Sequence, residues 1–276
     1  MNIERVAIVG SGSMGGAILA GLLASGFAAD KITVSTKSEL SAEKHKSQYG
    51  VGAYALESSS DANRLAVEGA DLVILAVKPA YIVETLREVA DSLASGALVI
   101  SVAAGITNSS MEAAIPTSVR VIRSMPNTPA IVGRAVTGLA AGSRSTAEDM
   151  AKAKALFETV GGVVVVDESQ IDALSTISGS GPAYVFYFIE QLTNAALHHG
   201  FTAEQAAAMV NDTFLGAAEL VASTGKSPTE LRRQVTSPNG TTERAIATFA
   251  AANLDQLFID ATEAALARAR ELAAGK

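Results

Sequence analysis

The run Gly10-Ser-Gly12-Ser-Met-Gly15 constrains this chain more than any other feature. It follows the apolar stretch Val6–Val9 directly and opens a stretch with helical character, Met14–Ser25. In that strand–turn–helix setting each glycine has a use. The first permits the tight turn, the second lets phosphates approach the backbone, and the third lets helix and strand lie close. The N–H groups of the helix N-terminus then face the phosphates. A glycine-rich turn without a ligand is the competing reading, and the flanking strand and helix favour a dinucleotide site.

The pattern continues along the first half of the chain. Short Val- and Ile-rich runs at Ile32–Ser35, Asp71–Val77, Ala97–Val102 and Val119–Arg123 alternate with helical stretches such as Tyr81–Leu93. Two further β-like runs, Val136–Ala141 and Val163–Val166, complete the set. Near-continuous apolarity is expected of parallel strands buried on both faces. After Asp167 strand signals stop, and Pro182–His199, Ala203–Ser223 and Asn253–Ala273 are rich in Ala and Leu. Thr202-Ala-Glu-Gln and Ser227-Pro-Thr-Glu both have the form of helix starts. The expected fold is therefore α/β. A Rossmann-type, doubly wound parallel sheet occupies residues 1–166, and an all-helical domain occupies 167–276.

Bulk properties remove several partner classes. The net charge of −7 argues against a nucleic acid or an anionic membrane. The densest apolar run, Ala183–Ile189, has seven residues, far short of the roughly 18 that a membrane span needs. The N-terminal residues Met1-Asn2-Ile3-Glu4-Arg5 lead straight to a strand, so no signal peptide is expected. Cysteine is absent, which excludes disulfides and thiolate chemistry and fits a cytoplasmic location. His45, His198 and His199 sit in helical, mostly polar contexts without a second ligand at metal spacing, so no metal is expected.

Pro182–Leu197 is apolar on all sides, so it must be buried all round. A helical domain of about 110 residues offers little interior for it. A subunit interface is favoured over a central core helix within one chain.

Cofactor type is read at the tip of the second strand. An NAD site usually carries an acid there, about 20 residues past the glycines, to hold the ribose 2′-hydroxyl. This strand ends Ser35-Thr36-Lys37-Ser38 instead. One cation among three hydroxyls suits a 2′-phosphate, which points to NADPH, with NADH weaker; a solvated surface lysine is the alternative.

No obvious proton-transfer acid accompanies this site. His198 and His199 precede Gly200 at a helix end, a structural-looking position. Small hydroxyls and glycines cluster instead in Ser175–Pro182 and Thr236–Thr242, each just before a helix. Such segments either cap helices or bind a carboxylate through free N–H groups and hydroxyls. A small carboxylate bearing a protonated imine would suit them, since its positive charge already draws a hydride and the protein has mainly to anchor and orient it.

At this point the motifs become recognisable. The chain resembles the pyrroline-5-carboxylate reductases over essentially its full length. The likeness rests on Gly10–Gly16, Ala76-Val-Lys-Pro79, Ser101–Ile106, Arg123-Ser-Met-Pro-Asn127-Thr-Pro129, Ser178–Tyr184 and Val235–Thr242. The resemblance implies an NADPH site lined by Val9, Gly10, Ser11, Gly12, Ser13, Met14, Thr36, Lys37, Ser38, Asn63, Ala76, Val77, Lys78, Pro79, Val102, Ala103 and Ala104, with Asn127 near the nicotinamide. It implies that Ser237, Gly240, Thr241 and Thr242 hold the substrate carboxylate and ring, with Glu168, Ser175 and Gln234 nearby. Thr242 and Ser175 are the expected catalytic pair. The expected reaction is reduction of 1-pyrroline-5-carboxylate to L-proline by a homodimer interlocked through its C-terminal helices, possible higher oligomers included. Two positions depart from the family. Asn239 stands where Gly is commoner, and Asn tolerates positive φ, so the turn is expected to persist. Ser175 stands for Thr and keeps the hydroxyl. Another cyclic-imine or carboxylate reductase, or a non-catalytic dinucleotide sensor, are the alternative functions.

Overall fold

The computed structural model describes residues 3–273, with the backbone alone at Leu272. Met1 and Asn2 of the lead-in, and residues 274–276 of the expected helical domain, lie outside the described residues. The chain forms two compact units. One runs to Ser180 and includes the chain from Leu266; the other spans Gly181–Ala265.

The first unit is built on eight strands. They are β1 (Val6–Val9), β2 (Ile32–Thr36), β3 (Gly52–Ala55), β4 (Leu72–Leu75), β5 (Leu98–Ser101), β6 (Arg120–Met125), β7 (Ala135–Ala141) and β8 (Gly161–Val165). Between them come α1 (Ser13–Ala24), α2 (Glu39–Tyr49), α3 (Ala62–Val67), α4 (Ile82–Val89), α5 (Asn108–Glu112) and α6 (Ala147–Phe157), and α7 (Ile171–Leu174) follows. The strand order is β3-β2-β1-β4-β5-β6-β7-β8. All neighbours are parallel except β6 and β7. The β6–β7 link is a short stretch holding a 3₁₀ turn, Thr128–Val132, and a link that short suits antiparallel strands.

Every residue of β1, β4 and β5 is buried, which accounts for their unbroken apolarity. One face packs Ile8, Ile18, Leu22, Ile74 and Phe157, and the other packs Val9, Val73, Leu86 and Val121. Each such large side chain contributes roughly 1.5–3 kcal/mol by leaving water. Val9 pairs in register with Ser35 on one side and Leu75 on the other. Strand order reverses at β1, and the crevice beyond the carboxyl ends there is where such sheets bind ligands. Strand β3, Gly-Ala-Tyr-Ala, was not expected. It lacks β-branched residues, and its strand character comes from pairing with β2.

The second unit contains α8 (Gly181–His198), α9 (Ala203–Thr224), α10 (Pro228–Gln234), α11 (Thr241–Ala251) and the start of α12 (Leu254–Ala273). Both expected helix starts are capping boxes, Thr202 with Gln205 and Ser227 with Glu230. The Ser227 N–H and hydroxyl hold the Glu230 carboxyl below its ordinary range. Among the described residues of this unit only Ala206 and Val210 are buried apolar side chains. Helix α8 has none, and Phe186 and Tyr187 are 64% and 60% exposed in the single chain. A central core helix is therefore not what α8 forms within one chain.

The expected domain boundary at 166–167 falls just after β8, whereas the compact units divide after Ser180. Residues 168–180 side with the sheet because they carry ion pairs and hydrogen bonds to β6 and the segment after it. Among the described residues no helix is long and apolar enough to cross a membrane.

Candidate active site

The glycine turn has the geometry its spacing implies. Gly10 lies at φ +89°, and a Cβ there would meet Val77 Cγ1 at 2.9 Å. A Cβ on Gly15 would strike the Gly10 carbonyl, so turn and helix can close only with glycine at both places. Around Gly12, in contrast, a Cβ would meet nothing within 4 Å. No side chain caps α1 and its first turn holds no acid, so Gly12, Ser13 and Met14 offer free N–H groups beside open space. This backbone fits a pyrophosphate.

Beneath the turn lies a residue that the sequence left in polar surroundings. His45 on α2 is buried, stacks on Tyr49 at 5.8 Å, and faces the Ser11 carbonyl. Burial holds its imidazole below the ordinary value near 6.5; Lys44 acts the same way and the Ser11 carbonyl opposes them. As pH falls below about 6.5 the unfolded chain gains a proton that the folded one resists, so acid favours unfolding. The melting temperature is expected to drop below that pH, and His45→Phe to flatten this part of the profile. An unchanged slope in the variant would refute the assignment.

At the tip of β2 the three hydroxyls are not equivalent. Ser35 and Thr36 are buried, and Thr36 Oγ1 donates to the Ser38 carbonyl at 2.8 Å. Ser38 caps α2 by accepting from the Ser41 N–H. The nearby acids are also engaged: Glu57 accepts from the Glu39 N–H at 2.9 Å, and Ser58 donates to the Glu39 carboxylate. Lys37 is the exposed cation at this tip. Asn63 is buried and donates to both Glu88 carboxylate oxygens, at 3.2 and 3.0 Å.

A cavity of about 420 Å³ in the first unit is lined by Pro79, Ala104, Gly105, Arg123, Met125, Asp172 and Ser175, among others. It joins part of the expected cofactor set to one expected catalytic residue. Its wall includes a π-turn, Ser175–Gly179, closed by the Ser180 N–H on the Ser175 carbonyl at 2.8 Å. Such wide turns are frequent at functional sites. Asn127 is buried and clamps this turn, donating from Nδ2 to the Ser178 carbonyl at 2.9 Å while Oδ1 accepts from the Val136 N–H at 2.8 Å. Glu168 accepts from the Asn108 N–H at 2.6 Å and lies 3.7 Å from Arg123. Arg123 and Asp172 carried no expected role. The available signal was a second arginine, after Arg120, closing the strand-like run Val119–Arg123.

The remaining expected residues, Gln234, Ser237, Gly240, Thr241 and Thr242, belong to the second unit. Gly240 starts α11 with no side-chain cap, and Ser237 Oγ lies 2.5 Å from where its Cβ would be. Asn239 takes φ +59°, the left-handed conformation expected of it. Glu243, not foreseen, accepts from the Asn239 N–H at 2.8 Å. The Thr241 and Thr242 hydroxyls thus accompany the free N–H groups of the first turn of α11.

Comparison with known proteins matches two separate stretches of the chain. Residues 168–272 match the family model described as pyrroline-5-carboxylate reductase dimerisation, and residues 5–105 match NADP oxidoreductase, coenzyme F420-dependent. A pyrroline-5-carboxylate reductase of Pseudomonas aeruginosa is 38% identical over 274 residues, covering 99% of this chain and 98% of the relative. A pyrroline-5-carboxylate reductase structure from Coxiella burnetii matches with a TM-score of 0.92 at 38% identity, over 98% of this chain and 99% of that one. The Plasmodium falciparum pyrroline carboxylate reductase, solved with NADP bound, shares the fold at a TM-score of 0.82 and 23% identity, over 99% of this chain and 98% of that one.

Proposed function

The chain belongs to the pyrroline-5-carboxylate reductase family, and from that premise we propose how its residues divide the reduction of 1-pyrroline-5-carboxylate to L-proline. The protein is an NADP-dependent oxidoreductase with a dimerisation domain. When bound, NADPH supplies the hydride that the imine carbon accepts. The observation that carries the reading is the uncapped N-terminus of α1 beside the open space at Gly12.

Residues Val9–Met14, with Ala76–Pro79 and Val102–Ala104, cradle the dinucleotide. Lys37 pairs with its 2′-phosphate, helped by the backbone around Thr36 and Ser38. Asn63 borders the site, and Asn127 holds the π-turn beside the nicotinamide. The first turn of α11, with Ser237, Gly240 and Thr241, binds the substrate carboxylate, as helix N-termini do. Thr242 hydrogen-bonds the ring nitrogen, and Ser175 is the second hydroxyl of the expected catalytic pair. Glu168 and Gln234 lie near the substrate. The imine carries its own proton, so these groups bind, orient and exclude water, and none needs to act as an acid. Subunits meet through the C-terminal helices, where α8 finds its cover, and the enzyme works in the cytoplasm.

NADPH oxidation on addition of pyrroline-5-carboxylate tests the reading directly, and its absence would refute it. Thr242→Ala is expected to lower kcat/KM about 2- to 13-fold, matching a neutral hydrogen bond of roughly 0.5–1.5 kcal/mol, and by more if the partner nitrogen is charged. Joint replacement of His198 and His199 by Gln is expected to leave the pH–rate profile in place. Activity lost in the histidine variant but kept in Thr242→Ala would require a histidine proton donor.

A further inference from the structure

Arg123 is 3% exposed, near the carboxyl end of β6, and lines the cavity that also holds Ser175. Burying a guanidinium is costly unless it is well paired. Both of its acidic neighbours come from one short segment: Asp172 Oδ1 lies 2.5 Å from Nη2, and Glu168 Oε1 lies 3.7 Å from Nη1. Its Nε has no hydrogen-bond partner among the described residues. Replacing such a pair by apolar residues is often neutral for stability, so stability alone does not account for it.

What the pair fixes is the residue that follows. The Ser175 hydroxyl donates to the Asp172 backbone carbonyl at 2.7 Å. Its proton is thereby directed along the helix, which leaves the oxygen lone pairs as an acceptor. An acceptor there can share with Thr242 the single N–H of a protonated ring imine and take the second N–H of the protonated amine product. Asp172 is pinned through its carboxylate by Arg123, ahead of Ser175. Asn127 pins the Ser178 carbonyl beyond it. Ser175 is bracketed by two ties to β6 and the segment that follows it.

We propose that Arg123 is a positioning residue for the reduction. Through Asp172 it fixes where the Ser175 oxygen stands and keeps that oxygen an acceptor towards the substrate nitrogen. The proposal rests on the substrate reading above and adds a residue to it. It gives Arg123 no contact with the substrate.

Four variants of the full-length enzyme test it: Arg123→Met, Arg123→Lys, Asp172→Leu, and the double variant Arg123→Met with Asp172→Leu. Arg123→Met is expected to lower kcat/KM for pyrroline-5-carboxylate at least tenfold with KM for NADPH within about twofold, and to lower the melting temperature because Asp172 loses its partner. The double variant is expected to regain melting temperature but not kcat/KM. Arg123→Lys is expected to recover activity in part, since it keeps the charge without the fork. If either single variant fails to fold, the double and Lys variants carry the test. Recovery of kcat/KM in the double variant along with its melting temperature would overturn the proposal, as would an NADPH KM that rises as steeply as the imine's. Failure of the unsubstituted enzyme to turn over the imine would instead refute the substrate reading.

Discussion

Lys37→Asp is expected to weaken NADPH binding about tenfold to a hundredfold while NADH binding changes little. The β2 tip concentrates this effect in one side chain. Thr36 and Ser38 are engaged by local hydrogen bonds, and Glu39 and Glu57 are tied to Ser58 and to a backbone N–H. Lys37 remains as the exposed cation that can meet a 2′-phosphate. One charge-assisted contact is worth roughly 1.5–3 kcal/mol, which sets the expected range. The aspartate also supplies what NAD sites carry at this position, a carboxylate for the ribose 2′-hydroxyl. Dissociation constants for both cofactors from nicotinamide fluorescence decide the matter. Equal losses for the two would mean that Lys37 does not read the 2′-phosphate.

A still larger effect is expected of Phe186→Asp. Phe186 is 64% exposed in the single chain, beside Val185 and Tyr187 on a helix with no buried residue. If α8 is covered by a second copy, an aspartate there leaves an unpaired charge in a desolvated contact. That costs several kcal/mol per ion, and at about 1.4 kcal/mol per factor of ten it weakens association a hundredfold or more. Monomers or insoluble protein are the expected result by light scattering, while Phe186→Leu assembles normally. An oligomer of unchanged mass in Phe186→Asp would remove α8 from the interface.

Much of the sheet was legible because its signals are local. Burial on both faces writes itself into β1, β4 and β5 as unbroken apolar runs, and the glycine spacing states its own turn. Strand β3 was illegible because Gly52–Ala55 becomes a strand only through pairing with β2. The π-turn depends on Asn127, some fifty residues earlier in the chain, whose amide reaches the Ser178 carbonyl. Arg123 shows the same limit. Its motif was readable, but its partners Glu168 and Asp172 are brought to it only by the fold. His45 lies in a sequence of charged residues, and its burial comes only with the fold, which sets it towards the Ser11 carbonyl.

The helical unit, with only Ala206 and Val210 as buried apolar side chains of its own, has a consequence for how the chain matures. If a second copy covers these helices, a single copy gains little by completing them, because the surface that would stabilise them belongs to that other copy. Formation of this half would then be a bimolecular event, with a rate that rises with the concentration of chains ready to pair. The sheet unit has two full layers of its own and needs no such encounter. Newly made chains would therefore wait half-built, exposing apolar helices to whatever they meet first. Dilution lengthens that wait, and the supply of like chains sets the time a copy spends open to aggregation.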